Sequence, residues 1–374
     1  MNKDLSFFNF EPFILPQKKK KKIFMEEMKK TVIWHFQKNA EFKKMCKNRG
    51  FSPKKKYFLE DIPYFPASLF KNFSLRSVPE RLIVKRLYSS STTGKPSIIL
   101  LDQETSRNQQ IAVRKIISDF LGNTRRHFII FDIEEVIKET TLYELSSRGT
   151  AIRGMIPIAK QMHFILYDKY EINVEKLKYL ISDLKKEDSI CFFGFTWLLY
   201  SVYRTHNNKE IKKMFNKLKP KDKKILHIGG WKKLQEKTVS KSEFNKQISQ
   251  FLNVKESDVI DFYGMTEQLG VVYPDCEYGY KHVPIYSEVI IRDIKTLDPA
   301  PNGSEGFIQL LSPIPRSYPG ISILSDDIGT IRGVDDCKCG RLGKYFTFER
   351  RSEEAELRGC GDVLQIKYGE SIIV

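Results

Sequence analysis

The chain has 374 residues, of which 41% are hydrophobic, and carries a net charge of +17. That length and apolar content support the buried core of one large or two moderate domains and exclude a disordered or fibrous chain. The lysines are spread along the whole sequence and no nucleic-acid-binding motif accompanies them, so nucleic acid is not expected as a partner.

The first residues, MNKDLSFFNFEPFILPQ, precede the run Lys18 to Lys22. This is the reverse of the order in a signal peptide, and a mature cytoplasmic protein is expected. Lys18 to Lys22 reads as a solvated tail. Apolar groups at Ile23, Phe24, Met28, Val32, Ile33 and Phe36 recur at helical spacing and predict an amphipathic helix over 23–49, before Pro53, Pro63 and Pro66 break it. From Arg81 the texture changes. RLIVKRLYSS and SIILLD read as strands, a helix follows near 104–121, and RHFIIFDI, SICFFGF, KILHIGGW and DVIDFYGMTE read as further strands separated by Lys-rich helical segments. Such alternation predicts an α/β sheet with its functional loops at strand ends. Residues 283–348 are richer in Pro, Gly and short strands, as expected of a smaller β-rich lobe. The expected organisation is therefore an N-terminal helical region over 1–80, a core over 81–349 and a short segment over 350–374. Ile190 to Tyr203 is the longest apolar stretch; it is too short to cross a hydrocarbon layer of about 30 Å and is expected in the core, with no transmembrane segment. The six cysteines, at 46, 191, 276, 337, 339 and 360, are too sparse for a disulfide framework.

YSSSTTGKPS, Tyr88 to Ser97, joins two of the predicted strands. It is not a GxxxxGK[ST] loop, because Ser89 stands where the first Gly is needed and Pro96 follows Lys95. Hydroxyls and free amides in a tight bend are donors suited to phosphate oxygens, and Lys95 adds charge. A plain polar turn accounts for the stretch equally well. Further on come Ile228-Gly229-Gly230, DFYGMTE (Asp261 to Glu267), SDDIGTI (Ser325 to Ile331) and ERRSEEAELRG (Glu349 to Gly359). Alone, YGMTE reads as a strand end with Thr266 as a helix cap, and SDDIG as a type I turn.

In this order the stretches resemble the adenylate-forming superfamily of acyl-CoA synthetases, luciferases and peptide-synthetase adenylation domains. The resemblance covers most of the chain from Tyr88 onward. It implies the α/β large domain of that superfamily, with a β-rich lobe, and a set of site residues for ATP and Mg²⁺. Ser90, Thr92, Thr93, Gly94 and Lys95 would hold the phosphates. Gly229 and Gly230 would let the backbone approach adenine, with Tyr263 near the base; Thr266 would touch the α-phosphate. Glu267 would help hold Mg²⁺, a cation that prefers oxygen ligands. Asp327 would accept from the ribose hydroxyls, with Arg350 nearby.

The sequence departs from the superfamily at three places. Ser91 stands for a Gly, Ser97 for the last Lys of the loop, and the final motif carries Glu349, Glu353 and Ala355-Glu356 where Gly, Asp and Ile-Lys are usual. The small C-terminal domain with its catalytic Lys is expected to be largely missing. Cys360, between two glycines in RGCGD, is then the expected acyl acceptor: its thiolate would attack the mixed anhydride to give a thioester. An inert small residue is the alternative.

YSSSTTGKPS, HIGGWKK, DFYGMTEQLG with YPDCEYGYKH, CKCGR and EAELRGC are similar to the acyl-protein synthetases of the LuxE type, part of the bacterial fatty-acid reductase complex, over nearly the full length. This implies that a long-chain fatty acid is activated with ATP, moved to Cys360, and passed to a LuxC-like acyl reductase subunit, with an acyl-transferase as a further partner. Cys191 to Trp197 and Arg148 to Ile158 are expected to line the acyl pocket. An acyl- or aryl-CoA ligase of the phenylacetate branch, which shares the CxCGR element, is the second reading; a non-catalytic acyl carrier is the third. Cys276, His282, Cys337 and Cys339 offer four ligands for a structural zinc, although reduced buried cysteines fit the same spacing.

Overall fold

The computed structural model describes residues 5–89, 96–138, 144–167, 170–231 and 238–352. Its central sheet runs in the order Tyr273–Pro274, Val259–Tyr263, Asp222–Ile228, Ser189–Phe195, Arg126–Ile130, Ala159–Phe164. All neighbouring pairs are parallel except the one made by Tyr273–Pro274. Ser189–Phe195 and Arg126–Ile130 are buried at every residue, as a sheet covered on both faces requires. Alternate side chains divide between two cores. Phe128, Ile130, Cys191 and Phe193 pack with the helix Gln103–Leu121. Ile129, Phe131, Ile190 and Phe192 pack with the helices Val174–Asp183, Thr196–His206 and Lys241–Leu252 on the other face.

A second sheet orders Lys281–His282, Lys344–Arg351, Ser322–Val334, Glu305–Leu311 and Glu288–Arg292 antiparallel, and Phe65–Pro66 adds to it in parallel on Ser322–Val334. This is the expected β-rich lobe. Ile98–Asp102, Ile83–Tyr88 and Glu144–Leu145 form a small third sheet. The stretch Ile190 to Tyr203 is core, as expected. SDDIG is not a turn: it lies inside the strand Ser322–Val334. Among the described residues no helix is long and apolar enough to cross a membrane.

The N-terminal region differs from expectation in two ways. One helix was expected over 23–49; two are found, Gln17–Lys38 and Ala40–Asn48. Asn39 separates them because its backbone is extended and its side chain accepts from the Phe42 N–H at 2.7 Å, capping the second helix. Nor is Lys18 to Lys22 a solvated tail. It forms the first turn of the longer helix, and Lys20, 2% exposed, donates to the Val283 carbonyl at 3.1 Å. Phe24, Met28 and Val32 share a core with Leu87, Ile99, Leu311 and Ile323. Ahead of the helix, Pro12 and Phe13 accept from the Ile285 and Leu342 amides, and the Asp335 carboxylate caps Gln17 N–H at 2.9 Å.

Candidate functional site

The carboxyl ends of Ser189–Phe195, Asp222–Ile228 and Val259–Tyr263 open on a cleft of about 1150 Å³ between the central sheet and the second sheet. Its size is somewhat above the usual range for small-molecule sites, and its place at strand ends is where open α/β sheets bind ligands.

Each strand end delivers a different chemistry. Asp222–Ile228 runs into Gly229, whose φ of +83° only glycine adopts without strain, and then into Gly230, where an added Cβ would meet nothing within 4 Å. Bare backbone therefore borders the cleft. Val259–Tyr263 ends in Tyr263, whose hydroxyl donates to Asp327 Oδ2 at 2.7 Å and whose ring stacks on Phe348 at 5.9 Å. Asp327 projects from the strand Ser322–Val334, and its own amide donates to Ser325 Oγ at 3.2 Å. Burial raises the Asp327 carboxyl above its ordinary range, with the Tyr263 hydroxyl pulling it back.

Past Gly264 the chain turns through a short helical bend, Thr266–Gln268. Thr266 begins this bend but makes no cap; the preceding Met265 occupies the cap position without a side-chain bond. Thr266 lines the cleft and Glu267, 7% exposed, lies beside it. Burial raises the Glu267 carboxyl, and the Ser97 hydroxyl counteracts this. A buried carboxylate facing a cleft, with no cation bonded to it among the described residues, has the chemistry of a hard-cation ligand.

Ser97 belongs to the base of the YSSSTTGKPS loop. Its amide donates to Ser89 Oγ at 2.8 Å, and the Ser89 amide donates to its carbonyl at 3.1 Å. The two ends of the loop are thus pinned beside Glu267. Ser90, Thr92, Thr93, Gly94 and Lys95 lie outside the described residues, as does Cys360. Arg350 lines the cleft, but its guanidinium pairs with Glu305 at 2.6 Å. The residue opposite Asp327 in register is Arg351, which sits 3.7 Å from Asp326. From the stretches expected to hold the acyl chain, Ala151, Met155 and Phe195 line an apolar part of the same cleft with Val113 and Val271.

Sequence reasoning missed a charged wall. Asp261 precedes Tyr263 by two residues on one strand, so both face the cleft, and that alternation was the available signal. Lys281 Nζ is 2.8 Å from Asp261 Oδ2 and 3.2 Å from Asp275 Oδ1, and Lys241 reaches the other Asp275 oxygen at 2.5 Å. His227 Nδ1 is 2.9 Å from Thr196 Oγ1, while its buried Nε2 has no hydrogen-bond partner among the described residues.

Cys276, His282, Cys337 and Cys339 do come together, with all ligand atoms within 4.8 Å of one another. Cys276 and Cys337 Sγ are 3.9 Å apart, and Cys339 Sγ is 3.3 Å from His282 Nε2. A tetrahedral zinc with bonds of about 2.3 Å to sulfur has an S–S edge of about 3.8 Å, so donor set and spacing both fit.

The family described as acyl-protein synthetase, LuxE, matches residues 2–369. The long-chain-fatty-acid–luciferin-component ligase of Vibrio harveyi is 24% identical over 334 residues, 87% of this chain and 83% of that protein. The ligase of the same name from Aliivibrio fischeri is 23% identical over 317 residues, 82% of this chain and 79% of that protein. Among solved structures, an open conformation of 2-hydroxyisobutyryl-CoA ligase with 2-HIB-AMP and CoA is similar at a TM-score of 0.70, with 15% identity, covering 91% of this chain and 76% of that one. The fold is that of an adenylate-forming ligase.

Proposed function

We propose, for a chain that belongs to the LuxE family of acyl-protein synthetases, an ATP-dependent ligase that adenylates a long-chain fatty acid and transfers the acyl group to a protein thiol. One observation carries the reading: Gly229 and Gly230, Tyr263, Thr266 and Glu267, and Asp327, from three separated stretches, line a single cleft that also has an apolar wall.

Adenine lies between the Gly229–Gly230 backbone and Tyr263, with its amino group donating to Asp261, an acceptor-only carboxylate when ionised. The ribose hydroxyls donate to Asp327. Glu267 would hold Mg²⁺, which would supply charge neutralisation at the phosphates, and Thr266 hydrogen-bonds the α-phosphate; the loop from Ser90 to Lys95 grips the leaving pyrophosphate. The fatty acid carboxylate attacks the α-phosphorus, forming the acyl–phosphate bond as the bond to the β-phosphate oxygen breaks. Positioning and charge stabilisation do the catalysis, since no proton is transferred in this step. The Cys360 thiolate then attacks the acyl carbon and AMP leaves. The thioester is handed to an acyl reductase subunit, with an acyl-transferase as a further partner. Cys276, His282, Cys337 and Cys339 hold a structural zinc.

Incubation with ATP, Mg²⁺ and a labelled long-chain fatty acid, followed by a denaturing gel with and without neutral hydroxylamine, tests this. A hydroxylamine-labile band is expected, absent in Cys360→Ser, while that variant keeps acid-dependent pyrophosphate exchange. Full labelling of Cys360→Ser overturns the carrier role, and label passing to coenzyme A instead points to a CoA ligase.

A further inference from the structure

The charged wall of the cleft and the cysteine–histidine cluster are two faces of one hairpin, residues 273–282. Asp275 and Lys281 pair across it, and the Cys276 amide donates to the Tyr280 carbonyl at 2.9 Å. Neighbours in extended chain point to opposite sides. Asp275 and Lys281 face the cleft, where Lys281 grips Asp261. Their neighbours Cys276 and His282 face Cys337 and Cys339.

The second limb is short and joins the edge of the second sheet. Lys281 and His282 form a strand of only two residues, in register with Phe346 and Tyr345. Its backbone is held at the sheet edge, where the Val283 amide donates to the Lys344 carbonyl at 3.0 Å, and its two side chains reach opposite ways: Lys281 to two carboxylates, His282 to the cluster. Lys281 is 4% exposed and Asp275 3% exposed, so neither can find a replacement partner in water.

We propose that a tetrahedral divalent cation in the cluster and an adenine nucleotide in the cleft bind with mutual reinforcement through this hairpin. Lys281 is the positioning residue that transmits the effect to Asp261. The proposal rests on the nucleotide reading above. A cation bonded to Cys276 and His282 fixes the hairpin, and the fixed Lys281 holds Asp261 oriented for the adenine amino group. By linkage, a ligand that immobilises Asp261 must tighten cation binding by the same factor.

The test is zinc affinity of the full chain by chelator competition, with and without tetradecanoyl-sulfamoyl-adenosine, a stable acyl-adenylate mimic with no polyphosphate to chelate zinc. About tenfold tighter zinc retention is expected in the presence of the mimic, within the range for coupled sites. Lys281→Met is expected to bind one zinc per chain and to lose that shift. Asp275→Asn, which keeps Lys281 on Asp261, is expected to retain most of it. Should Lys281→Met fail to fold, the wild-type comparison decides alone. Tight binding of the mimic with unchanged zinc affinity overturns the coupling and leaves the nucleotide reading standing. Failure to bind the mimic overturns both, and failure to bind zinc overturns the coupling at its source.

Discussion

Two places in the chain bury lysines against carboxylates, and they differ in what closes them. Around Glu288 every partner is protein. Lys344 Nζ and the Val289 amide meet one oxygen at 2.9 and 3.1 Å, Gln17 Nε2 donates to the other at 2.7 Å, and Lys20 and Lys344 also donate to the carbonyls of Val283 and Val289. Around Asp261 the lysine side is closed in the same manner, but the carboxylate keeps 26% of its side chain open to the cleft and, among the described residues, His227 Nε2 has no partner. Charge of the same kind thus serves as a sealed staple in one place and as a wall open to the cleft in the other. Low dielectric strengthens a satisfied network and makes every missing partner costly, so the open cluster is the one on which a ligand has most to offer.

The comparison breaks or sharpens at four points. Glu288→Ala should cost about 3–5 kcal/mol, because Lys20 is left as an uncompensated buried charge. Chemical denaturation reads that loss, and nucleotide affinity per folded molecule should stay constant; a parallel fall in affinity would merge the two clusters into one. The same residue sets an acid limit. Burial pushes its carboxyl up, but Lys344 and Lys20 outweigh burial and hold it at about 2, below the ordinary 4.5. A depressed carboxyl contributes stability that is complete above the unfolded value and lost as pH falls from about 4.5 towards 2. Glu288→Gln should flatten the acid limb of a stability-against-pH curve in that window.

At the open site the expected losses are catalytic. Glu267→Gln should lower acid-dependent pyrophosphate exchange by about 10²–10³, the scale for removing one preorganised electrostatic contact, with thermal stability unchanged or raised, since a buried charge is removed. Tyr263→Phe deletes the hydroxyl that orients Asp327 and should weaken ATP binding by about 0.5–1.5 kcal/mol, a few-fold to about tenfold in KM, with kcat nearly intact. A larger fall in kcat than in affinity would assign Tyr263 to the chemistry instead.

The strands of the central sheet were legible because their apolar runs are short, β-rich and bounded by glycine or polar turns, and the order of IGG, YGMTE and SDDIG located one side of the cleft. The open and sealed clusters were not legible. Lys281 sits in a two-residue strand too short to show alternation, and its partner Asp261 is twenty residues away in sequence. Lys20 looked solvated because it stands in a run of five lysines. Its burial follows from helical periodicity, which turns one position of the run inward onto Val283, a contact between residues 263 apart in sequence. Arg350 shows the same limit at finer scale: a register shift in the last pair of strands decides that Arg351, not Arg350, stands across from Asp327.

The strap formed by Pro12, Phe13 and Gln17 has a consequence for how the protein is made. Gln17 and the Asp335 carboxylate that caps it are 318 residues apart. At synthesis rates of about 5–20 residues per second, Gln17 waits roughly 16–64 s for Asp335 to be made. The strap is therefore translated well before the residues it docks on, and must be shielded in the nascent chain through that interval.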